Sequence, residues 1–510
     1  MQSADTFAPL SGVKLLLAGF ALALGNFMVV LDMTIANVAT PHIAGSLGIA
    51  STQGTWVITS YAVAEAICVP LTGWLARRYG PVRVFTFGMI GFGLFSVLCG
   101  LSTTLGSLVV FRVAQGLCGG PIMPLSQILL MRIYPKEKHG QAMSLWAMTT
   151  VIAPILGPIM GGMLSDQLSW HWAFFINIPV AVGCAAVGFT LLRRAEMPSE
   201  KVRIDGIGLA LLVIWIGALQ LMLDLGREHD WFGSSLIVTL AVVAVLGFIA
   251  FLIWELTEDE PAVDLRAFRH RGFAVSMVAL MFAFGSMFAG LVLIPQWLQT
   301  TLGYSATWSG YATAFNGVAA VIAAPIVGKL SEKTDPRMLI FFGILWMGVT
   351  SWLRVVWWSN DADFWTLALP QLIQGLGMPF FFIPLTTLAL AAVDEAEATS
   401  AAGVMNFLRT IAGAIATPLA LTLWSNASAG RRSDMSATLN DPEGAMSTLQ
   451  AGGFSGDQAR NYINTLVDQQ ASAGALNHMF LIIAFVFGIA AFIIWLAPRP
   501  TRQVDTSAVH

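Results

Sequence analysis

The run SLIVTLAVVAVLGFIAFLIWE, residues 235–255, carries no charge before Glu255. About 20 mainly apolar residues suffice to cross the hydrocarbon core of a bilayer as a helix. This run meets that length, and the preceding stretch 205–225 is nearly as apolar. Two such runs in succession belong in lipid. They also decide the count, because a soluble insert over 205–255 would leave twelve spans instead of fourteen.

The rest of the chain agrees. Of 510 residues, 56% are hydrophobic and only 11% are charged. An ordinary soluble protein carries about 25% charged residues, so this chain cannot cover a water-facing surface. The formal net charge of −3 offers no basic surface for nucleic acid. Cys68, Cys99, Cys118 and Cys184 lie inside apolar runs without CxxC spacing, so neither a disulfide framework nor a zinc site is expected. The histidines fall mostly in loops or at helix ends, which argues against axial haem ligation. No GxxxxGK[ST] sequence occurs, so the expected energy source is an ion gradient with no cofactor. The first apolar run, Leu15 to Val38, is too long for a signal-peptide core and reads as an uncleaved first span.

Fourteen spans are expected, at 14–37, 53–75, 83–102, 105–131, 141–164, 172–192, 205–225, 235–255, 273–299, 308–329, 338–358, 364–392, 400–424 and 478–497. Basic residues concentrate in alternate loops, as cytoplasmic loops require. Only Arg227, Arg431, Arg432 and Arg460 fall in the opposite set, and only Arg112, Arg354 and Arg409 fall inside spans. Both termini are therefore expected in the cytoplasm. Residues 425–477 form a polar outer loop, with a short amphipathic helix expected over 457–470. It reads as a solvated connector or as a docking surface for a periplasmic partner.

An internal repeat divides the chain. Gly73-Trp-Leu-Ala-Arg-Arg-Tyr-Gly-Pro81 after span 2 parallels Gly328-Lys-Leu-Ser-Glu-Lys-Thr-Asp-Pro336 after span 10. Span 4 carries Gln115-Gly116-Leu117 and Met123-Pro124-Leu125, and span 12 carries Gln374-Gly375-Leu376 and Ile383-Pro384-Leu385. Pro158 in span 5 is matched by Pro418 in span 13. The expected organisation is a six-helix half over 1–194, two inserted helices within 195–265, and a second six-helix half over 266–510.

At these residues the chain resembles the major facilitator superfamily, in its fourteen-helix drug:proton antiporter branch. Span 1 ends Leu31-Asp32-Met-Thr34-Ile35-Ala-Asn37-Val38-Ala-Thr-Pro41. Span 4 has Arg112-x-x-Gln115-Gly116, and span 5 has Gly157-Pro158-x-x-Gly161-Gly162. The run Trp170-His-Trp172-Ala-Phe-Phe-Ile-Asn177-Ile-Pro179 follows. Leu223-Asp224-Leu-Gly226-Arg227-Glu-His-Asp230-Trp231 and Trp254-Glu255-Leu256 are similar to the EmrB-type pumps in particular. The resemblance implies an all-α integral membrane protein of the major facilitator fold that exports drugs through a bacterial inner membrane, conferring antibiotic resistance. It also implies a periplasmic adaptor and an outer-membrane channel as partners. One departure stands out: the family usually has an acid where this chain has Arg77, so a gating salt bridge built on that acid does not carry over.

Charges inside the bilayer cost at least ~2.5–3.5 kcal/mol each, so each needs a reason. Asp32 lies ~27 Å along its helix from Lys14, in the outer half. With Arg112 as a switchable partner, Asp32 can carry coupling protons, since an arginine lowers a carboxyl's proton affinity and desolvation raises it. A fixed ion pair locking spans 1 and 4 is the rival reading. Glu65 reads as a second coupling group or as a protonated carboxyl touching substrate. Arg409 is open to anionic groups, to Asp32 or to Glu65. Arg354, beside Trp352, Trp357 and Trp358, is expected to snorkel at the outer edge. Asp224 is read as interfacial, and Asp394, Glu395 and Glu397 as a solvated cytoplasmic turn.

Ala153, Gly157 and Gly161 leave one helix face almost bare, so another helix can approach closely. With Pro158, which can bend the helix, and Gly162, this face reads as a sliding seam or as static packing. Drug pockets are mostly apolar with a few polar groups. Gln127, Gln220, Gln296, Trp297, Asn316, Gln374, Asn406 and Arg409 are the candidate substrate contacts. The expected function is proton-coupled export of amphipathic or hydrophobic toxic compounds. A narrow carrier of a metabolite, fatty acid or siderophore is the alternative. Neither a catalytic set nor a metal site is expected.

Overall fold

The computed structural model describes residues 10–499 except 50, 55, 136–137, 200–202, 204, 227–228, 260, 332, 395–396 and 438–441. Among the described residues all regular structure is helical. In chain order the long helices are α1 Gly12–Leu47, α2 Trp56–Cys68 continued by Thr72–Tyr79, α3 Pro81–Gly100, α4 Leu105–Ile133, α5 His139–Gln167, α6 Trp172–Thr190 and α7 Gly206–Gly226. There follow α8 Ser235–Thr257, α9 Arg271–Thr300, α10 Ala306–Ser331, α11 Pro336–Trp357, α12 Phe364–Ala391, α13 Ala398–Ala437 and α14 Gly456–Ile493. Twelve are single apolar runs long enough to cross a bilayer, and α2 and α5 reach fourteen as bent spans. The α2 bend of 59° falls at Val69-Pro70-Leu71, where proline withholds a backbone donor. That of α5, 45°, falls between Pro154 and Ile159.

Burial separates central helices from peripheral ones. In α12, 72% of the apolar window is buried inside the protein, and in α8 only 22%. Val245, Leu246, Ile249 and Ile253 of α8 are exposed. Such a surface is stable only against lipid. The protein is a multi-pass membrane protein.

Helix α1 packs against α5, α6 and the inner part of α4, while α3 packs between α4 and α6. Helix α9 packs on α13 and α14, α10 on α12, and α11 on α12 and α14. The α7–α8 pair leans on α2 and α13 through α7. The two groups meet along α5–α10 and where the inner parts of α2 and α4 reach α13.

Three expectations change. First, residues 425–477 are no mere connector. Helix α13 runs on to Ala437, and α14 starts at Gly456, with Pro442–Ala451 helical between them. At 1.5 Å per residue each long helix outruns the ~30 Å hydrocarbon core. Ser455 opens α14 with a reciprocal cap, taking the Gln458 N–H at 3.2 Å while Gln458 Oε1 takes the Ser455 N–H at 2.9 Å. Arg432 and Asp468 pair across the two extensions at 2.8 Å, and Trp424 Nε1 donates to the Ser472 carbonyl at 3.1 Å. The helical run breaks at Gly452-Gly453, with Gly453 at φ 95°, and the Ala/Ser/Gln-rich stretches on either side can hold a helix with their polar side chains facing water.

Second, Glu397 is mostly buried. It accepts from Arg269 at 2.7 Å and pairs with His270 at 3.1 Å, tying the start of α9 to the α12–α13 turn. Asp394 is exposed as expected, and Glu395 lies outside the described residues. Third, the acid missing at Arg77 has a counterpart from elsewhere. Glu196, after α6, accepts the backbone N–H groups of Val82 and Arg83 at 3.1 and 3.0 Å. It sets a negative charge on the positive end of the α3 dipole. Gly80, at φ 91°, leaves it room, since a Cβ there would lie 2.5 Å from the Glu196 carboxylate.

Candidate functional site

Arg112 and Gln115 are three residues apart on α4, so both side chains leave the same face. They meet Asp32 from α1 and Asn177 from α6. Arg112 Nη1 donates to Asp32 Oδ2 at 2.6 Å, while Gln115 and Asn177 donate to Oδ1 at 3.1 and 2.7 Å. Arg112 also donates from Nε to the Val57 carbonyl at 3.0 Å and from Nη1 to Gln115 Oε1 at 2.9 Å. Its guanidinium lies 4.2 Å from the centre of the Tyr61 ring. Asp32 and Arg112 are 1% and 0% exposed, so this is a buried, hydrogen-bonded ion pair. Such a pair survives in a low dielectric only because nearly every polar atom is satisfied.

The arrangement can switch. A proton on Asp32 would cancel the charge pair but leave Arg112 its two neutral acceptors and the ring. The guanidinium keeps its place while the links from Asp32 to α4 and α6 weaken. Gln115 and Asn177 are as much part of the site as the two charges, and both stand in segments quoted above for the resemblance. Their signal in the sequence is the three-residue spacing on α4 and an asparagine inside an apolar run.

A second cluster lies where the two helix groups meet. Glu65 on α2 and Arg409 on α13 are both buried there. The Arg409 guanidinium contacts the Met123 sulfur and lies 5.2 Å from the Trp146 ring centre and 5.6 Å from that of Phe284. Asn406, one turn before it, donates to Gln127 Oε1 at 3.0 Å. Trp146 stacks on Phe382 at 5.6 Å and donates to Ser126. A buried acid, a buried base, an amide pair and stacked aromatic rings therefore join α2, α4 and α5 to α9, α12 and α13.

The bare face of α5 packs on α1. A Cβ at Gly157 would overlap Thr34, and one at Gly161 would lie 3.1 Å from the Ile35 carbonyl and 3.2 Å from Val38. Thr34 Oγ1 also donates to the Ala153 carbonyl at 3.4 Å. A Cβ at Gly162 would instead face α10, 3.9 Å from Thr307 Oγ1. The side chain of Pro158 lies outside the described residues. Thr34 is two residues from Asp32, so this contact bears on the ion pair.

The other candidates lie apart. Gln220 reaches Asp224, half-buried on the same helix, at 3.4 Å. Trp297 is buried and stacks on Trp358, with ring centres 5.6 Å apart. Gln296 is half-buried beside it in sequence. Asn316 donates to Gln374 Oε1 at 3.2 Å, and Gln374 accepts from Arg354 as well. The snorkelling expected of Arg354 is thereby overturned. It is 1% exposed and also donates to Gln371 Oε1 at 2.8 Å, because α12 and α14 wall it off from the outer surface.

Residues 22–417 match the model of the Major Facilitator Superfamily. The chain is 42% identical over 496 residues to the multidrug export protein EmrB of Escherichia coli K12, covering 96% of this chain and 97% of that one. It is equally similar, 42% over 501 residues, to the fatty acid resistance protein FarB of Neisseria gonorrhoeae, covering 97% and 98%. Among solved structures, the human organic anion transporter MFSD10 superposes with a TM-score of 0.59 at 14% identity, covering 95% of this chain and all of that one. That last likeness speaks for the fold alone. Taken with twelve to fourteen candidate membrane helices around a buried charge network, these matches make the assignment plain: the chain belongs to the major facilitator superfamily of transporters.

Proposed function

We propose that this protein exports amphipathic or hydrophobic toxic compounds across a bacterial inner membrane in exchange for protons. The carrying observation is the buried Asp32–Arg112 pair, closed by Gln115 and Asn177. Asp32 takes and releases the coupled proton, and Arg112 holds its proton affinity down until the surroundings change. Glu65, next to the Arg409 cluster, responds to substrate in the space between the helix groups. The two six-helix halves, 1–194 and 266–510, rock about that cluster while 195–265 rides along. The inner seal is the contact of α2 with α13. A Cβ at Gly73 would lie 2.8 Å from Ser400 Cα, and one at Gly403 would lie 3.4 Å from the Val69 carbonyl. The energy comes from the proton gradient, with no cofactor. A periplasmic adaptor and an outer-membrane channel carry the substrate onward, and both termini face the cytoplasm.

The test is efflux of a hydrophobic dye and of an amphipathic acid from energised cells, with and without an uncoupler. Export that persists once the gradient has collapsed overturns the coupling. Export of a single metabolite and none of the panel favours the narrow carrier. For topology, cysteines introduced within 430–470 should react with an impermeant reagent from outside, and those at 197 or 262 should not. Labelling at 197 in sealed cells would invert the orientation.

A further inference from the structure

Among the described residues, Arg354 presents a charge with no counter-charge. Its Nη2 donates only to the amide oxygens of Gln371 and Gln374, and its Nε, buried with it, has no partner. Among the described residues the partners found for this guanidinium are these two neutral amides, with no carboxylate among them. The rings of Trp358 and Phe480 stand 5.5 and 5.4 Å from it. Trp297, stacked on Trp358, is 1% exposed and also leaves its Nε1–H without an acceptor. Trp358 spends its own N–H on the Thr366 carbonyl. An isolated cation inside a membrane protein is costly, and an unmet buried donor adds to the cost. Both costs fall if one negatively charged acceptor sits at Nε.

We propose that Arg354, walled by Trp358 and Phe480 and backed by Gln371 and Gln374, binds a single monovalent anionic group. The chemistry fits chloride or the carboxylate head of an amphipathic acid. In the second case the aromatic rings of Trp297, Trp358 and Phe480 receive the first methylenes of the tail, and the site narrows the substrate class proposed above to organic acids. That case rests on the export reading, and the chloride case does not.

The test uses the purified full-length protein in detergent at constant ionic strength, with isethionate as the inert anion. Chloride and decanoate are titrated separately while the melting temperature and tryptophan emission are followed. A saturable rise in melting temperature with either probe is expected, together with a change in emission. Gln371→Glu places a carboxylate beside Arg354 without changing the size of the side chain. It should fold and weaken anion binding at least tenfold by supplying the counter-charge internally. Arg354→Gln should abolish binding. Competition between decanoate and chloride assigns the site to a substrate head group, whereas chloride binding without decanoate binding assigns it to a resident counter-ion. Failure of both probes on the wild type, or undiminished binding by a folded Gln371→Glu protein, overturns the site. Binding is read without a gradient and export with one. A protein that exports but binds neither anion therefore overturns this inference alone, and one that binds but does not export overturns only the proposed function.

Discussion

Arg112 and Arg354 are both fully buried guanidiniums beside a Gln-Gly pair, yet their surroundings differ in the one respect that matters for coupling. The packing around them is alike. A Cβ at Gly116 would lie 2.6 Å from the Tyr61 carbonyl, and one at Gly375 would overlap the Asn316 carbonyl, so each glycine seats its helix on a neighbour's backbone. Counted from the prolines that open α3 and α11, Cys99 and Arg354 hold the same place. The Cys99 thiol lies 3.6 Å from Gln115 Oε1, just as Arg354 lies on Gln374. Yet Arg112 faces Asp32 and Arg354 faces only amides. A carboxylate can exchange a proton and an amide cannot. The scaffold is shared, and of these two arginines only Arg112 has a carboxylate partner among the described residues.

The sharpest break of this comparison is Asp32→Asn. It keeps size and hydrogen bonding but removes the exchangeable proton, so the two arginine sites become chemically alike. Uphill efflux should vanish while the protein remains in the membrane and still binds substrate. Undiminished gradient-driven efflux by this variant would move the coupling role to Glu65.

Next in size is the pair Arg112→Gln and Arg354→Gln. Removing Arg112 strands a buried carboxylate, which costs about 3–5 kcal/mol when one partner of such a pair is deleted. Removing Arg354 strands only neutral acceptors, at about 1–3 kcal/mol. Thermal unfolding in detergent should rank them in that order. An equal or reversed ranking would mean that Asp32 is already neutral in the resting protein.

Gly157→Leu reaches Asp32 without altering any charge. The new side chain must displace Thr34 and with it α1, at an overpacking cost of about 1–3 kcal/mol. Transport should be lost or protons leaked, with anion binding at Arg354 unchanged. Met163→Leu, on an exposed position, serves as the control. Normal coupled transport by Gly157→Leu would show that the α1–α5 contact plays no part in the cycle.

How much of this could be read beforehand follows from the same physics. Lipid demands long apolar runs and penalises every charge, so the spans and the set Asp32, Glu65, Arg112 and Arg409 were legible. Tertiary neighbours were not. Nothing in the sequence says that Gln115 and Asn177 turn to the same carboxylate, because they come from different helices. Arg354 was misread because three nearby tryptophans resemble an interfacial belt, and only the packing of α12 and α14 puts it inside. Of the α13–α14 extensions only the helix over 457–470 was legible, and it lies within α14; the rest was missed because polarity marks exposure to water without distinguishing a loop from a helix.

The smallest effect belongs to Tyr61, and its sign is informative. The phenol oxygen is buried without a hydrogen-bond partner, while the ring supports Arg112 at 4.2 Å. If the ring alone does the holding, Tyr61→Phe removes an unmet polar atom and keeps the contact. Deleting an unsatisfied buried hydroxyl should be neutral or slightly stabilising, within about 1 kcal/mol. Coupled transport should be retained and the melting temperature equal to or above that of the wild type. A marked loss of coupling would mean that the hydroxyl finds its partner in another state of the cycle, with Glu65, four residues on along α2, the nearest acid in sequence. The α1–α4 site would then extend its proton path toward the central cluster, and the contrast with Arg354 would widen from one carboxylate to a chain of exchangeable groups.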